Sequence, residues 1–503
     1  MNKKIFNLQN LKKTLLNKNF ILAHGVFDLF HIGHKRHLEM AKTYSDYLVV
    51  SITGDKFVKK GPDRPIFSSS YRAELISSLE FVDFVIVNES ETPINLIHQI
   101  KPNFYIKGSD YSDPSEDITG NILKEKKSVE QNYGKFILSN EIEFSSSSLI
   151  NNYFKPSLTI SELKKNITDI NKFKSNCLNS LKKTQKLNVA VIGECIFDEY
   201  IFSKELEKPS KENISAVEFD KNKVYLGGSF AIAKQVAKFC KKVTLISSGK
   251  FDSYQKKLIN KSVKEEKNFI PMLLTSNFKS ITKSRYLNSS NRKIFEVYSR
   301  NGSEDFFNPN KLIKNLKSKI KKFDLVIMSD FGHGFFSKKL SDFLVKNSKY
   351  ISINAQTNAG NRGYNLITKY SKASVICIDE PELRLALKNK DDSVEKIVPR
   401  LFNKIKVNKI VVTLGRKGIQ IFDKKNKKIS AFKLSGFETN PIDTIGAGDA
   451  VFGVASLLSS VNCDTKIISF ISNLIGAMTT RVLGHEKSIE KDEIYKALEY
   501  SLK

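Results

Sequence analysis

At 503 residues the chain is too long for one ordinary hydrophobic core, and its 40% hydrophobic content is enough to bury two or three. The formal net charge of +29 is spread as lysines through almost every segment, alongside abundant Asn, Ile, Phe and Ser and no Trp. That scatter reads as the residue bias of an AT-rich genome: it argues against a specific nucleic-acid binder, which gathers its cations on one element, and leaves a positive field that attracts anionic substrates. No apolar run reaches membrane-span length, and the polar residues after Lys3 and Lys4 give no signal peptide, so a cytoplasmic protein with no membrane partner is expected.

The first α/β pattern opens with a buried-strand run, Asn19–Ala23, then Gly25, then a helix from Gly33 to about Lys42. Further strands are expected at Leu48–Ile52, Val82–Val87 and Phe104–Lys107. Strands alternating with helices imply a parallel sheet that binds ligands at its carboxyl edge.

The sharpest motif lies at that edge: Gly25-Val26-Phe27-Asp28, then His31-Ile32-Gly33-His34. The turn presents backbone N–H groups and a helix N-terminus, which favour phosphate. Gly33 allows close backbone approach. His31 and His34 are three residues apart and share one face, where two imidazoles can stabilise charge as pyrophosphate leaves a nucleoside triphosphate. No protein nucleophile is required; positioning suffices for in-line displacement.

This stretch resembles the cytidylyltransferase-like nucleotidyltransferases. Supporting matches follow in order: Asp55, Lys59-Lys60, Arg64-Pro65, Tyr71-Arg72, Lys107-Gly108-Ser109-Asp110-Tyr111 and Phe144-Ser145-Ser146-Ser147-Ser148-Leu149-Ile150. The resemblance implies that His31 and His34 are catalytic and that Lys59 or Lys60 contacts the α-phosphate. It implies nucleotide binding by Gly25, Phe27, Gly33, Lys107, Gly108, Asp110, Ser146 and Ser147, with Asp28 and Arg72 at the substrate. The closing serine run favours ATP over CTP. Class I aminoacyl-tRNA synthetases share the His-x-x-His element, but no K-M-S-K-S-type loop or tRNA-binding domain accompanies it here.

Apolar residues at Leu163, Ile167, Ile170, Phe173, Cys177 and Leu181 mark one amphipathic helix over about 161–182 that joins the domains and packs against one of them. Five cysteines (Cys177, Cys195, Cys240, Cys377, Cys463) lie far apart with no C-x-x-C pair, which excludes a disulfide framework or zinc site and suits a reducing cytoplasm.

The second α/β pattern runs through Leu187–Ile192, Val243–Ile246, Leu325–Met328, Val375–Ile378 and Ile410–Thr413. Between these strands, residues 214–226 alternate as an extended segment, and residues 281–297 read as a hairpin around Asn288–Asn291. Strands set apart in this way can form a lid. The chain has no internal repeat, P-loop or G-x-G-x-x-G.

The second motif is Asp443-Thr444-Ile445-Gly446-Ala447-Gly448-Asp449, leading into an apolar helix. Small residues let consecutive N–H groups converge at the helix N-terminus as an anion hole for a transferring γ-phosphoryl group. Asp449 beside it is a carboxylate able to accept a hydroxyl proton.

The region from Leu187 onward resembles the PfkB, or ribokinase-like, sugar kinases. The resemblance implies Asp449 as base and Asp198, Gly227, Gly228, Arg285 and Asp443 at the sugar. It implies Thr413, Gly415, Gly418, Asn473 and Gly446-Ala447-Gly448 at the nucleotide, and Glu382 organising Mg²⁺. Three positions depart from that family: Ala231 replaces the Asn of G-G-x-x-N, Asp379 the Asn of N-x-x-E, and Glu194 an opening Asp. Ala231 and Glu194 are expected to touch the sugar pocket. Asn354–Asn358 is also unlike the heptose kinases.

The expected architecture is therefore a Rossmann-like nucleotidyltransferase fold over 1–153, a helical linker over 154–186, and a ribokinase-like α/β domain with a small β lid over 187–503. Together the modules resemble the bacterial bifunctional heptose 7-phosphate kinases and heptose 1-phosphate adenylyltransferases, in reversed order. That resemblance implies ATP (CTP being the alternative in the front domain), Mg²⁺, sugar phosphates as substrates, and a homodimer through the lid.

Overall fold

The computed structural model describes residues 4–59, 64–108, 121–139, 158–206, 215–278, 280–301, 307–437 and 441–502. The chain divides into two compact units, Met1–Ser161 with Asp492–Lys503, and Glu162–Lys491.

The first unit holds one parallel sheet, ordered β3-β2-β1-β4-β5. Its strands are β1 (Phe20–Gly25), β2 (Tyr47–Thr53), β3 (Phe84–Asn88), β4 (Phe104–Lys107) and β5 (Lys135–Leu138). β1 and β2 are almost continuously apolar because helices cover both faces. One apolar cluster sits on each side of the sheet: Ile21, Ala23, Leu38, Val50 and Ile76 on one, Leu22, Val49, Leu96, Ile97 and Tyr105 on the other. The order reverses at β1, so the crevice for a ligand opens between the carboxyl ends of β1 and β4.

The second unit holds two sheets. The larger has nine strands, ordered β10-β9-β6-β13-β14-β15-β16-β17-β18. They are β6 (Asn188–Gly193), β9 (Lys242–Gly249), β10 (Phe269–Thr275), β13 (Leu325–Asp330), β14 (Ile351–Ala355), β15 (Val375–Asp379), β16 (Lys409–Thr413), β17 (Ile419–Lys425) and β18 (Lys428–Leu434). Only β17 and β18 run antiparallel to their neighbours. The smaller sheet, ordered β12-β11-β7-β8, is built from β7 (Cys195–Glu205), β8 (Val217–Gly228), β11 (Ser280–Leu287) and β12 (Lys293–Asn301). This is the lid that the alternating segment and the hairpin imply. It also takes in β7, which follows β6 after one residue.

The connecting segment differs from expectation. Two helices, Leu158–Asn166 and Ile170–Thr184, replace the single helix over 161–182. Asp169 breaks it by capping the second helix, its carboxylate accepting from Lys172 N at 2.9 Å. The second helix packs Phe173 edge-on against Phe470 at 5.8 Å and buries Cys177 and Leu181, so it is part of the second unit. Among the described residues no helix is long and apolar enough to cross a membrane.

Candidate active sites

In the first unit β1 ends on Gly25, and the chain turns through Phe27 and Leu29 at positive φ (52° and 44°). His31 then caps helix Ile32–Lys42, its Nδ1 accepting from Gly33 N at 3.1 Å. A neutral His31 therefore carries its proton on Nε2, a donor suited to phosphate oxygen. The His31 and His34 rings stack at 3.9 Å, and Phe27 and Phe30 flank His34 at 5.4 and 5.5 Å. The helix N-terminus thus offers two adjacent imidazoles on an aromatic bed.

Lys107, at the end of β4, forms a buried ion pair with Glu125 at 3.1 Å, and the Tyr105 hydroxyl donates to the same carboxylate at 2.8 Å. His24 and His37 are both held neutral, chiefly by burial and then by the Lys107 charge; His37 is pushed down to about 4. None of Glu125, His24 or His37 was singled out from sequence. Glu125 carried a weak signal, because it shares the buried face of its helix with Ile122 and Val129. A Cβ at Gly108 would meet open space. Burial works against the charge on Lys59, yet Glu91 at 2.8 Å, with Glu493 and Asp492 beyond it, holds the ammonium pKa above its ordinary value.

Arg72 and Asp28 both bond to neighbouring segments of the protein. Arg72 is buried, and its guanidinium donates to Phe67 O, Val26 O, Thr53 O and Asp55 Oδ1 at 2.5–2.9 Å. It knits the β1 turn to the next two segments. Asp28 accepts from Ile66 N at 2.9 Å and Phe67 N at 3.1 Å. Lys60, Asp110, Ser146 and Ser147 lie outside the described residues.

The second unit encloses a cavity of about 1000 Å³ between the lid and the carboxyl edge of the large sheet. Asp198, Gly228 and Arg285 reach it from the lid, and Thr413, Gly415 and Gly418 from the turn after β16. Gly446-Ala447-Gly448-Asp449 enters it at the start of helix Ala447–Ser460. Gly446 caps that helix at φ 82°, where a side chain would be strained. Gly227 is forced: a Cβ there would stand 1.8 Å from Asp198 Oδ2.

Asp449 is half-buried at the cavity wall, and burial pushes its carboxyl up to about 6; His485 and Lys283 oppose that rise and Asp198 adds to it. A base poised near neutrality is what proton acceptance from a hydroxyl requires. Burial acts against the Asp198 charge too, but His485 at 3.3 Å and Arg285 at 2.5 Å hold this carboxyl below its ordinary range. Arg285 also pairs with Glu296 at 2.7 Å. Lys283, one residue pair along the same lid strand, faces the cavity as well and is only 8% exposed. Sequence reasoning picked Arg285 from this strand and missed Lys283 and His485; for His485 no motif exists.

Asp443 is not in the cavity. Its carboxylate accepts from the Tyr200 hydroxyl (2.5 Å), Lys293 Nζ (2.6 Å), Gly484 N (3.0 Å) and Ile445 N (3.1 Å), so it ties loop to lid. Glu194 is likewise removed from the pocket: it accepts from Phe331 N, His333 N and Phe335 N and shapes the loop after β13. Ala231 lines a small cleft beside Asp449 and His485. Asn473 spends its amide on Leu434 O and Ser435 O, holding the cavity wall.

Asp379 and Glu382 form a reciprocal cap on helix Glu380–Leu387, which explains an Asp at that position. Glu382 also accepts from Thr357 N at 2.8 Å, and burial with the neighbouring Asp379 pushes its carboxyl up to about 8. Among the described residues no three His, Cys, Asp or Glu side chains gather around a metal position. Mg²⁺ needs no such cage, since it keeps waters and substrate phosphates as ligands. A buried carboxylate facing the cavity, with spare lone pairs and a charge that burial opposes, fits such an ion.

The cytidylyltransferase-like family profile matches residues 22–152, and that of the pfkB family carbohydrate kinases matches residues 186–488. Three curated relatives match the N-terminal part, each called bifunctional protein HldE. The Helicobacter pylori protein is 44% identical over 110 residues, 22% of this chain and 24% of its own. The Campylobacter fetus protein is 41% identical over 113 residues, 22% and 25%. The Aliarcobacter butzleri protein is 42% identical over 123 residues, 24% and 25%. The chain thus spans about a quarter of the length of these relatives. Among solved structures, phosphofructokinase-2 from Escherichia coli aligns at TM-score 0.50 and 13% identity, covering 63% of this chain and 99% of its own. Ribokinase from Arabidopsis thaliana aligns at TM-score 0.50 and 13% identity, covering 62% and 99%. At that identity the likeness establishes the fold.

Proposed function

We propose, for a chain that belongs to the pfkB family of carbohydrate kinases and carries a cytidylyltransferase-like domain ahead of the kinase, that it is a bifunctional sugar-activating enzyme. The observation that carries the kinase half is the placing of Asp449 at the helix N-terminus in the same cavity as Asp198, Arg285 and the Thr413–Gly418 turn. The acceptor hydroxyl oxygen attacks the γ-phosphorus of ATP, the bond to ADP breaks, and Asp449 takes the hydroxyl proton. The N–H groups at Gly446–Gly448 steady the charge on the transferring group. Asp198 orients the acceptor, and Arg285 fixes Asp198. Glu382 would hold Mg²⁺ through its waters; when bound, the ion supplies charge neutralisation on the phosphates.

In the front domain a sugar 1-phosphate oxygen attacks the α-phosphorus of the nucleotide, and pyrophosphate leaves. His31 and His34 donate to the phosphate oxygens and stabilise the charge that develops. Lys107 and Lys59 are the nearby cations that the triphosphate draws from Glu125 and Glu91, with Lys60, Asp110, Ser146 and Ser147 completing the nucleotide site. The HldE relatives support heptose 7-phosphate as the kinase acceptor and ADP-heptose as the product of the front domain. ATP is the nucleotide of both sites. Five free, buried cysteines suit a cytoplasmic enzyme, and exposed Phe219, Phe295 and Val297 on the lid suit a homodimer through that sheet.

The test uses the full chain with a panel of sugar phosphates, each with ATP and CTP. Heptose 7-phosphate with ATP should yield ADP, and heptose 1-phosphate with ATP should release pyrophosphate. His34→Ala should lower only pyrophosphate release, by roughly 10²–10³-fold. Loss of both activities from that one change would overturn the two-site reading. A different preferred acceptor would follow from Ala231, which lines the cleft beside Asp449 at the position of the family's Asn.

A further inference from the structure

His485 lines the kinase cavity, and no motif marks it. It stands on the loop after helix Thr465–Thr479, and its side chain is only 10% exposed. Its Nε2 is 3.3 Å from Asp198 Oδ2. The ring also lies against the catalytic turn, since a Cβ on Gly446 would fall 2.4 Å from its Cε1. On its far side the ring lines the small cleft shared with Asp449 and Ala231.

The charges that face this ring come from several elements. Asp198 approaches from β7 and Asp449 from helix Ala447–Ser460; Lys283 and Arg285 come from β11. Lys234 and Lys487 line the cleft behind, and Glu486 is drawn off to Lys223 at 3.2 Å. Two carboxylates in one enclosed pocket resist joint ionisation. The reaction needs both as anions: Asp198 to hold a hydroxyl and Asp449 to take its proton. Arg285 is shared between Asp198 and Glu296, so it does not balance the pair alone.

We propose that His485 is a positioning residue of the phosphoryl-transfer site, an imidazolium that holds Asp198 in place and keeps Asp449 in its carboxylate form. The proposal rests on reading the second unit as a sugar kinase. The electrostatics agree with the geometry. Burial disfavours the His485 charge, but the bond to Asp198 and the nearby Asp449 hold its pKa above 6.5. Asp449 is an anion above about 6 and His485 a cation below its own raised value, so the productive pair exists in the window between them.

The decisive variant is His485→Gln, which keeps a donor toward Asp198 and loses the charge. In the full chain the acid limb of kcat/KM for ADP formation should move up by about one pH unit, and the alkaline limb should vanish. Pyrophosphate release by the front domain should be unchanged, which reports intact folding. Independently, ¹⁵N-histidine NMR of the full chain should show one ring, assigned by its loss in His485→Gln, that titrates above the ordinary imidazole value and lower in Asp198→Asn. A pH profile superimposable on that of the unaltered chain, or a ring that titrates at or below the ordinary imidazole value, would overturn the proposal. No ADP from any sugar phosphate would instead remove the kinase reading, and the NMR titration would still decide the link between His485 and Asp198.

Discussion

The Tyr200 hydroxyl donates to Asp443 Oδ2 across 2.5 Å, fastening a lid strand to the residue that opens the catalytic turn. Lys293, from another lid strand, reaches the other oxygen of the same carboxylate at 2.6 Å. The lid is therefore anchored to the loop that carries the anion hole. Closing over a sugar and forming that hole are mechanically coupled.

Tyr200→Phe removes this tie and leaves the ring in place. A hydrogen bond to a charged acceptor contributes about 1.5–3 kcal/mol, so the unfolding transition of the second unit should fall accordingly in thermal scans. The KM for the sugar acceptor should rise as the lid loosens. Pyrophosphate release should not change. An unaltered acceptor KM would show that the tie serves stability alone.

Arg72 offers the opposite case, a charged residue whose importance is structural. Arg72→Ala leaves the Phe67, Val26 and Thr53 carbonyls without their donor, and each buried acceptor so stranded costs about 1–3 kcal/mol. Urea unfolding of the front domain should shift to lower denaturant. The folded fraction should keep its KM for sugar 1-phosphate. A tenfold higher KM with unchanged unfolding would restore Arg72 to the substrate site.

These two residues show how far the sequence is legible. The chemistry-bearing turns, at His31–His34 and Gly446–Asp449, were readable because each joins a strand end to a helix start in a short, unusual string. The lid was readable from its alternation. What Asp443, Arg72 and Glu194 do was not, because a motif names a residue type and not the partners that consume its hydrogen bonds. β17 and β18 were missed for a local reason: their turn, at Asn426 and Lys427 with φ 48° and 67°, is written in lysines and looks like solvated loop. His485 was invisible because its partners, Asp198 and Gly446, are brought to it only by the fold.

Glu382 provides the test of the metal. Glu382→Gln removes the charge and keeps the shape of the cap, so helix Glu380–Leu387 should persist in circular dichroism. Residues that hold an ion through its waters alter metal affinity by about 10–100-fold. The Mg²⁺ concentration for half-maximal ADP formation should rise by about that factor, with little effect on the front domain. An unchanged Mg²⁺ dependence would place the ion elsewhere.

Asp449 should reveal itself in stability as well as in rate. In the unfolded chain its carboxyl loses the proton near 3.8, whereas in the fold it keeps it to about 6. Below 3.8 both states are protonated, and the group is neutral to folding. Between those values the unfolded chain ionises first, so folding loses stability as pH rises, and above about 6 the full penalty is present. A shift of that size corresponds to a penalty on the order of 2–3 kcal/mol. Asp449→Asn should therefore abolish ADP formation and yet unfold at a higher temperature than the unaltered chain at pH 8, with the two converging at pH 4. Calorimetry at the two pH values measures this directly. A variant that is inactive and equally or less stable at pH 8 would mean that the carboxylate is already balanced by charge in the resting fold, with His485 and Lys283 the groups to examine.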